Sequence, residues 1–218
     1  MTGFFHYICT DMKLIFATGT KGKLQEAQEI LGPEFELVTP ADLGIFDDIE
    51  ETGATLMENS IIKARYIYEK TGMNCFADDT GLEVDSLGGA PGVHTARYAE
   101  EMALKEGREA PASHDFQANM DTLLAELKKH PGETRVARFR SVVTLIIDGE
   151  EHCFQGMMHG RIAERQSGTR GFGYDPIFVP DEFPGETLAE ITLEAKDAIS
   201  HRGKALRAMA GWLAEQLS

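Results

Sequence analysis

Residues 13–23 read Lys-Leu-Ile-Phe-Ala-Thr-Gly-Thr-Lys-Gly-Lys (KLIFATGTKGK), and the fold is read outward from them. The first six form a short apolar run, the mark of a buried strand. Residues 19–22 are a glycine-bearing turn. From residue 23 to 31, Leu24, Ala27, Ile30 and Leu31 recur on one helical face, and Gly32-Pro33 stops the helix. Downstream, residues 35–39 read as a second strand and residues 52–70 as a long helix closed by Gly72. A short strand over 74–77 leads into Asp78-Asp79-Thr80-Gly81. Residues 99–112 are polar and irregular, and 115–129 are helical up to Pro131-Gly132. A long strand over 135–147, a turn at Asp148-Gly149 and a return strand over 151–163 form a hairpin. The last helix follows Ser200, with Leu206, Met209, Ala210, Leu213 and Leu217 on one face. Strands and helices alternate early and a hairpin comes later, which predicts an α/β protein around a mixed sheet.

Length and charge narrow the function. The 218 residues correspond to about 1.5 typical domains, so one large domain over residues 12–218 is expected. Residues 1–11 carry no Lys or Arg, lack a signal-peptide n-region and precede the first strand. They read as a dispensable appendage. The formal net charge of −15 argues against wrapping a nucleic-acid backbone and against anionic membrane surfaces. A small phosphorylated substrate remains compatible, because clustered lysines make a local positive pocket in an acidic protein. Cys9, Cys75 and Cys153 are scattered, without zinc spacing, and fit a reducing, cytoplasmic setting. The longest apolar run, residues 142–147 with Thr144 inside it, is too short to span a bilayer.

Five motifs carry chemistry. In Thr18-Gly19-Thr20-Lys21-Gly22-Lys23, glycines let a ligand approach the backbone, and the following helix N-terminus favours an anion. The loop is not a Walker A motif, since Ala17 and Leu24 stand where glycine and Ser/Thr belong. Alone, it equally suits an ordinary βα turn. Asp78-Asp79 at a strand end requires compensation by a cation or hydrogen bonds, and extended geometry turns the two carboxylates to opposite faces. An Asx-type turn is the competing reading. On the helix after Glu50-Glu51-Thr52-Gly53, Asn59 and Lys63 share a face four residues apart, as many merely solvated pairs do. Gly171-Phe172-Gly173-Tyr174-Asp175 offers two aromatic surfaces for a base and a carboxylate acceptor, or else a packed turn. Lys196 and Ser200-His201-Arg202 open the final helix, with Ser200 as a plausible N-cap and donors in the first turn. Together these are the parts a nucleoside triphosphatase needs.

The chain resembles the inosine triphosphate pyrophosphatase family, the non-canonical purine nucleoside triphosphate pyrophosphatases, from about Lys13 to Leu213. The match is carried by TGTKGK (18–23), EETG (50–53), ENSIIKAR (58–65), ADDTGLEVDSLGGAPG (77–92), TARY (95–98), GFGYDPIF (171–178) and AISHRGKAL (198–206). The resemblance implies a long central mixed sheet between two α/β lobes, a nucleotide cleft between them, and a homodimer. It implies Mg²⁺ held by Glu51 and Asp79, with Asp79 as proton acceptor. Lys23 and Lys63 look like triphosphate contacts within a site that includes the 18–23 loop, and Thr80 matches a substrate-contacting hydroxyl. Phe172 and Tyr174, flanking Gly173, resemble a base-stacking pair beside Asp175, and Lys196, His201 and Arg202 resemble the base-recognition set. The chain departs from the family pattern at Thr20, usually Asn, at His94, where tyrosine is common, and in a longer 99–113 segment.

The implied reaction is attack of water, deprotonated by Asp79, on the α-phosphorus, releasing pyrophosphate and a monophosphate. Selectivity is expected at the purine 6-position, where His201 and Arg202 donors suit a keto group and are left unpaired by adenine. Two rivals are a Maf-like nucleotide pyrophosphatase, disfavoured by the SHR and FGYD segments, and a catalytically silent nucleotide-binding module, disfavoured by intact Glu51, Asp79 and lysines.

Overall fold

The computed structural model describes residues 12–216. The appendage at 1–11, with Cys9, and the expected helix-face residue Leu217 lie outside them. The described elements are β1 (Met12–Phe16), α1 (Lys21–Leu31), β2 (Phe35–Val38), α2 (Leu56–Thr71) and β3 (Cys75–Val84), then α3 (Tyr98–Lys105) and α4 (Phe116–Lys128). The long hairpin β4 (Val136–Ile147) and β5 (Glu150–Ile162) follows, then β6 (Phe178–Pro180), α5 (Leu193–Ile199) and α6 (His201–Gln216).

One six-stranded sheet runs in the order β2-β1-β3-β4-β5-β6. β1 is parallel to β2 and β3, and the remaining pairs are antiparallel, so the expected mixed α/β sheet is what forms. The hairpin turns as expected at Asp148 (φ 51°) and Gly149 (φ 87°). Two successive positive-φ residues match the twist of the flanking strands.

Four boundaries differ from the sequence reading. β3 does not end at Ala77: it continues through the aspartates to Val84, pairing Asp78 with Val143 and Asp79 with Val142. A charged pair ends an apolar run in sequence, but here β4 supplies the ladder and distant cations compensate the charges. α2 starts at Leu56 rather than residue 52, because Thr55 forms a capping box: its hydroxyl accepts from Glu58 N (3.1 Å) and the Glu58 carboxylate accepts from Thr55 N (3.0 Å). α1 begins at Lys21, so Lys21 and Lys23 both lie in its first turn. The 99–112 segment was expected to be irregular, but α3 occupies its first half, held because Asn119 of α4 accepts from Ala99 N (2.8 Å) and donates to Ala96 O (2.9 Å).

Three apolar clusters build the interior. α1 and α6 pack on Leu14, Phe16, Phe76, Val143 and Leu145. α2 packs Ala64 and Ile67 on the opposite face, against Ile15, Ala77 and Ile146. The third cluster joins Leu82, Val84, Phe139 and Met158 to Leu123 of α4, Tyr174 and Phe178. Alternate residues of a strand share a face. On the β3 face that carries Phe76 and Leu82, the two residues between them are therefore Asp78 and Thr80. A polar gap separates two apolar cores.

That gap lies where connectivity reverses. The chain leaves β1 through α1 to β2 on one side, then returns through α2 to β3 on the other. Crevices at the carboxyl ends of strands form at such switch points. β1 pairs with β3 only at Cys75 and Phe76, so beyond Phe76 the β3 edge has lost its β1 neighbour.

Candidate active site

The β3 aspartates point to opposite faces, as alternation requires, and each meets its own cations. Asp78 is buried, with Lys23 Nζ 2.9 Å from Oδ1 and Arg202 Nε 3.0 Å from Oδ2. Burial alone raises a carboxyl, but Lys23 and Arg202 outweigh it and hold Asp78 far below the usual range. Arg202 also donates from Nη1 to Glu26 Oε2 of α1 (3.1 Å). Asp78 thereby clamps the first turns of α1 and α6 together on one face of the sheet.

On the other face, Lys63 Nζ stands 2.9 Å from Asp79 Oδ1 and 2.7 Å from Glu51 Oε1. Burial raises the Asp79 carboxyl, the neighbouring Glu51 and Asp78 charges add to this, and Lys63 offsets only part of it. Burial pulls the Lys63 ammonium down, but the carboxylates around it prevail and raise it. Asp79 is consequently a carboxylate of increased basicity beside a permanent cation. Glu51 and Asp79 converge on one ammonium, so their oxygens already define a cation position. An all-oxygen donor set of this kind suits a hard divalent ion that keeps other ligands for water and phosphate.

On the Asp78 face, the α1 N-terminus carries unsatisfied donors. Thr20 makes no side-chain cap, and its own N–H goes to Thr18 Oγ1 (3.1 Å). The backbone N–H groups of Lys21, Gly22 and Lys23 have no hydrogen bond among the described residues. A side chain at Gly19 or Gly22 would meet nothing within 4 Å, and neither has positive φ. The protein's own packing therefore does not require these glycines, and they leave the backbone here open to a ligand. Thr80 donates to Ser141 Oγ (3.1 Å) on the Asp78 face.

The aromatic loop is assembled differently from the expected stacking pair. Phe172 is 64% exposed, whereas Tyr174 is only 4% exposed and donates its hydroxyl to Thr95 O (2.9 Å) inside the third core. Asp175 is buried, and its Oδ2 accepts from Phe172 N (2.8 Å) and Lys196 Nζ (2.5 Å). The ammonium of Lys196 sits 4.9 Å from the Phe172 ring centroid. Gly171, at φ +77°, leaves no room for a Cβ against the Asp175 carboxylate, which forces glycine there. Phe172, Gly173, Asp175 and Lys196 thus form one unit, and Tyr174 serves as its anchor.

At the start of α6, Ser200 caps as expected: its Oγ accepts from Gly203 N (3.1 Å) and donates to Glu26 Oε1 (3.1 Å). The His201 ring stacks on Phe139, with centroids 5.0 Å apart. Burial, then the Arg202 and Lys196 charges, push His201 down to about 3, so it is neutral at pH 7. Among the described residues its buried Nδ1 has no hydrogen-bond partner.

Two residues that the sequence reading passed over, Glu26 and Gly156, join the site, and Asp78, read from the sequence only as the partner of Asp79, acts as a hub. A Cβ at Gly156 would collide with His201 O and come within 2.6 Å of Ala205 N, so this glycine lets α6 descend onto the sheet. A glycine inside a strand is the available signal for such close approach. Gly156→Ala is expected to cost about 1–3 kcal/mol in chemical denaturation through overpacking, and to weaken turnover by displacing His201 and Arg202. Unchanged stability with full activity would remove Gly156 from this role.

Fold and site together define a switch-point α/β protein with a bare helix N-terminus, lysine–carboxylate clusters on both faces of β3 and a lysine-braced aromatic loop. The chain belongs to the Ham1 family, whose model matches residues 14–212. It is 44% identical over 204 residues to a protein of Christiangramia forsetii named dITP/XTP pyrophosphatase, covering 94% of this chain and all of that one. A protein of the same name from Porphyromonas gingivalis is 44% identical over 203 residues, covering 92% of this chain and 97% of its own. Among solved structures, a HAM1 protein from Coxiella burnetii superposes with a TM-score of 0.82 at 34% identity, covering 94% of this chain and 99% of that one. A nucleoside-triphosphatase/dITP/XTP pyrophosphatase from Mycobacterium abscessus gives a TM-score of 0.74 at 43% identity, covering 91% and 98%. No described helix is long and apolar enough to cross a membrane.

Proposed function

We propose that this chain hydrolyses non-canonical purine nucleoside triphosphates (ITP, dITP and XTP) to the monophosphate and pyrophosphate, and so cleanses the nucleotide pool. The observation that carries the reading is Asp79: a carboxylate made more basic by burial, held beside Glu51 by Lys63 at the β3 edge that β1 leaves open. The names of the Christiangramia and Porphyromonas relatives support the substrate class.

The triphosphate lies along the β3 edge that β1 leaves open, met from one face by the α1 N–H groups and Lys23 and from the other by Lys63. Asp79 accepts a proton from water as that water attacks the α-phosphorus. The bond to the bridging oxygen breaks, and pyrophosphate departs against the lysines. Glu51 and Asp79 would hold Mg²⁺, which when bound supplies neutralisation of the triphosphate charge. The base lies against Phe172 near Lys196 and His201. Neutral His201 presents one N–H donor at most, and Arg202 keeps Nη2 after its bonds to Asp78 and Glu26. These donors suit a 6-keto oxygen and are left unpaired by an amino group. A cytoplasmic homodimer completes the proposal. It rests on the resemblance and, for location, on the free thiols of Cys75 and Cys153.

Phosphorus NMR of the reaction with dITP and Mg²⁺ tests the bond cleaved: pyrophosphate and dIMP are expected as first products. Orthophosphate appearing first would refute the chemistry, and no turnover of any triphosphate would favour a silent binding module. Arg202→Ala tests selectivity. A lost charged hydrogen bond is worth about 1.5–3 kcal/mol, a roughly ten- to hundred-fold narrowing of the ITP-to-ATP ratio of kcat/KM. If both nucleotides weaken alike, Arg202 organises Asp78 and Glu26 without reading the base.

A further inference from the structure

We propose that Phe116, the first residue of α4, is a substrate-positioning residue that forms with Phe172 the outer aromatic wall of the base subsite. The proposal rests on the reading of the Phe172 loop given above. Tyr174, which the motif offers as second aromatic, is turned into the core and tied to Thr95 O. The ring that stands beside Phe172 is Phe116, with centroids 6.3 Å apart and planes at 44°. Both rings are large apolar groups left in solvent, Phe116 46% and Phe172 64% exposed. Exposed rings of this size leave apolar area for a ligand to cover.

The placement of Phe116 is rigid. Asp115 caps α4, its Oδ1 accepting from Ala118 N (2.9 Å). Asn119, one turn on, is bonded to Ala99 N and Ala96 O. Phe116 continues the buried stripe of Met120, Leu123 and Leu127 at helical spacing, so the stripe that packs the third core runs out of the core and onto the Phe172 ring. Lys196 Nζ stands 4.9 Å from the Phe172 centroid, and through Asp175 it fixes the loop from the opposite end. A purine is thus gripped by α4 and the 171–175 loop together.

Steady-state kinetics with dITP and inhibition by inorganic tripolyphosphate, which has phosphates but no base, test the proposal. Phe116→Ala is expected to raise KM for dITP roughly three- to ten-fold, the range of aromatic stacking, with kcat nearly unchanged. The tripolyphosphate inhibition constant should not move, and Phe116→Tyr should restore KM. Phe116→Leu, which retains apolar volume and folding, should still raise KM. An unmoved KM for dITP in the Ala and Leu variants, or an equal rise for tripolyphosphate, overturns the assignment. Phe172→Ala separates the two levels. If it raises KM while the Phe116 variants do not, only Phe116 is excluded. If it too leaves KM unmoved, the base reading of the loop fails and this inference falls with it.

Discussion

Asp79→Asn is expected to keep the fold and lose nearly all turnover of dITP. The amide is isosteric, so the pairing of residue 79 with Val142 and the packing of β3 against β4 persist. What disappears is a carboxylate whose proton affinity burial has raised, together with one of the two oxygen sources around Lys63. Loss of a general base costs roughly 10²–10⁴ in rate, and loss of an anionic cation ligand adds to it. Lys63 keeps Glu51 as partner, so the variant should unfold close to the parent. The measurement is kcat/KM with saturating Mg²⁺, alongside a thermal melt. Near-parental turnover in a folded variant would end the assignment of Asp79 as base, and would turn attention to Glu51.

The second large effect concerns stability. Asp78→Asn leaves the Lys23 and Arg202 cations converging on a neutral amide. Removing one partner of a buried pair costs about 3–5 kcal/mol. Lys23 is partly exposed and Arg202 retains Glu26, so the lower end of that range applies. The pH dependence has a definite sign. The folded carboxyl of Asp78 lies below its ordinary value of 3.8. Its contribution is therefore fully present above that value and is lost as pH falls toward the folded pKa. The stability gap between parent and variant should be largest near pH 7 and shrink below about pH 4. Urea denaturation at pH 7 and pH 3 would read this directly. A gap under 1 kcal/mol at pH 7, or one that does not narrow in acid, would show that the clamp adds no net stability. Activity should fall as well, because Asp78 aims Lys23 and Arg202.

Much of this molecule is legible from local pattern. The apolar run into TGTKGK, the stop at Gly32-Pro33, the Asp148-Gly149 turn and the Ser200 cap are contacts between near neighbours, and each appears where spacing put it. The opposed aspartates follow from the alternation of a strand. The errors arose where a local signal competed with a distant partner. Asp78-Asp79 looked like the end of a strand because nothing near them in sequence pays for two charges; β4 and three cations do so from far along the chain. The segment after Tyr98 looked irregular because its ordering partner, Asn119, belongs to another helix.

The same division holds for function. The α/β class, the glycine–lysine loop before a helix and the acidic charge that disfavours nucleic acid come from the sequence by itself, since these depend on residue type and short-range period; the roles of Glu51, Lys63 and Asp79 come from the family resemblance. Only the tertiary structure decided which cation meets which carboxylate, that Tyr174 turns inward while Phe116 comes to Phe172, and that Gly156 admits α6 to the sheet. These are contacts across long chain separations, such as Arg202 with Asp78, whose geometry is set by how helices seat on a twisted sheet. No local periodicity encodes that seating, because it depends on the packed volume of the whole core.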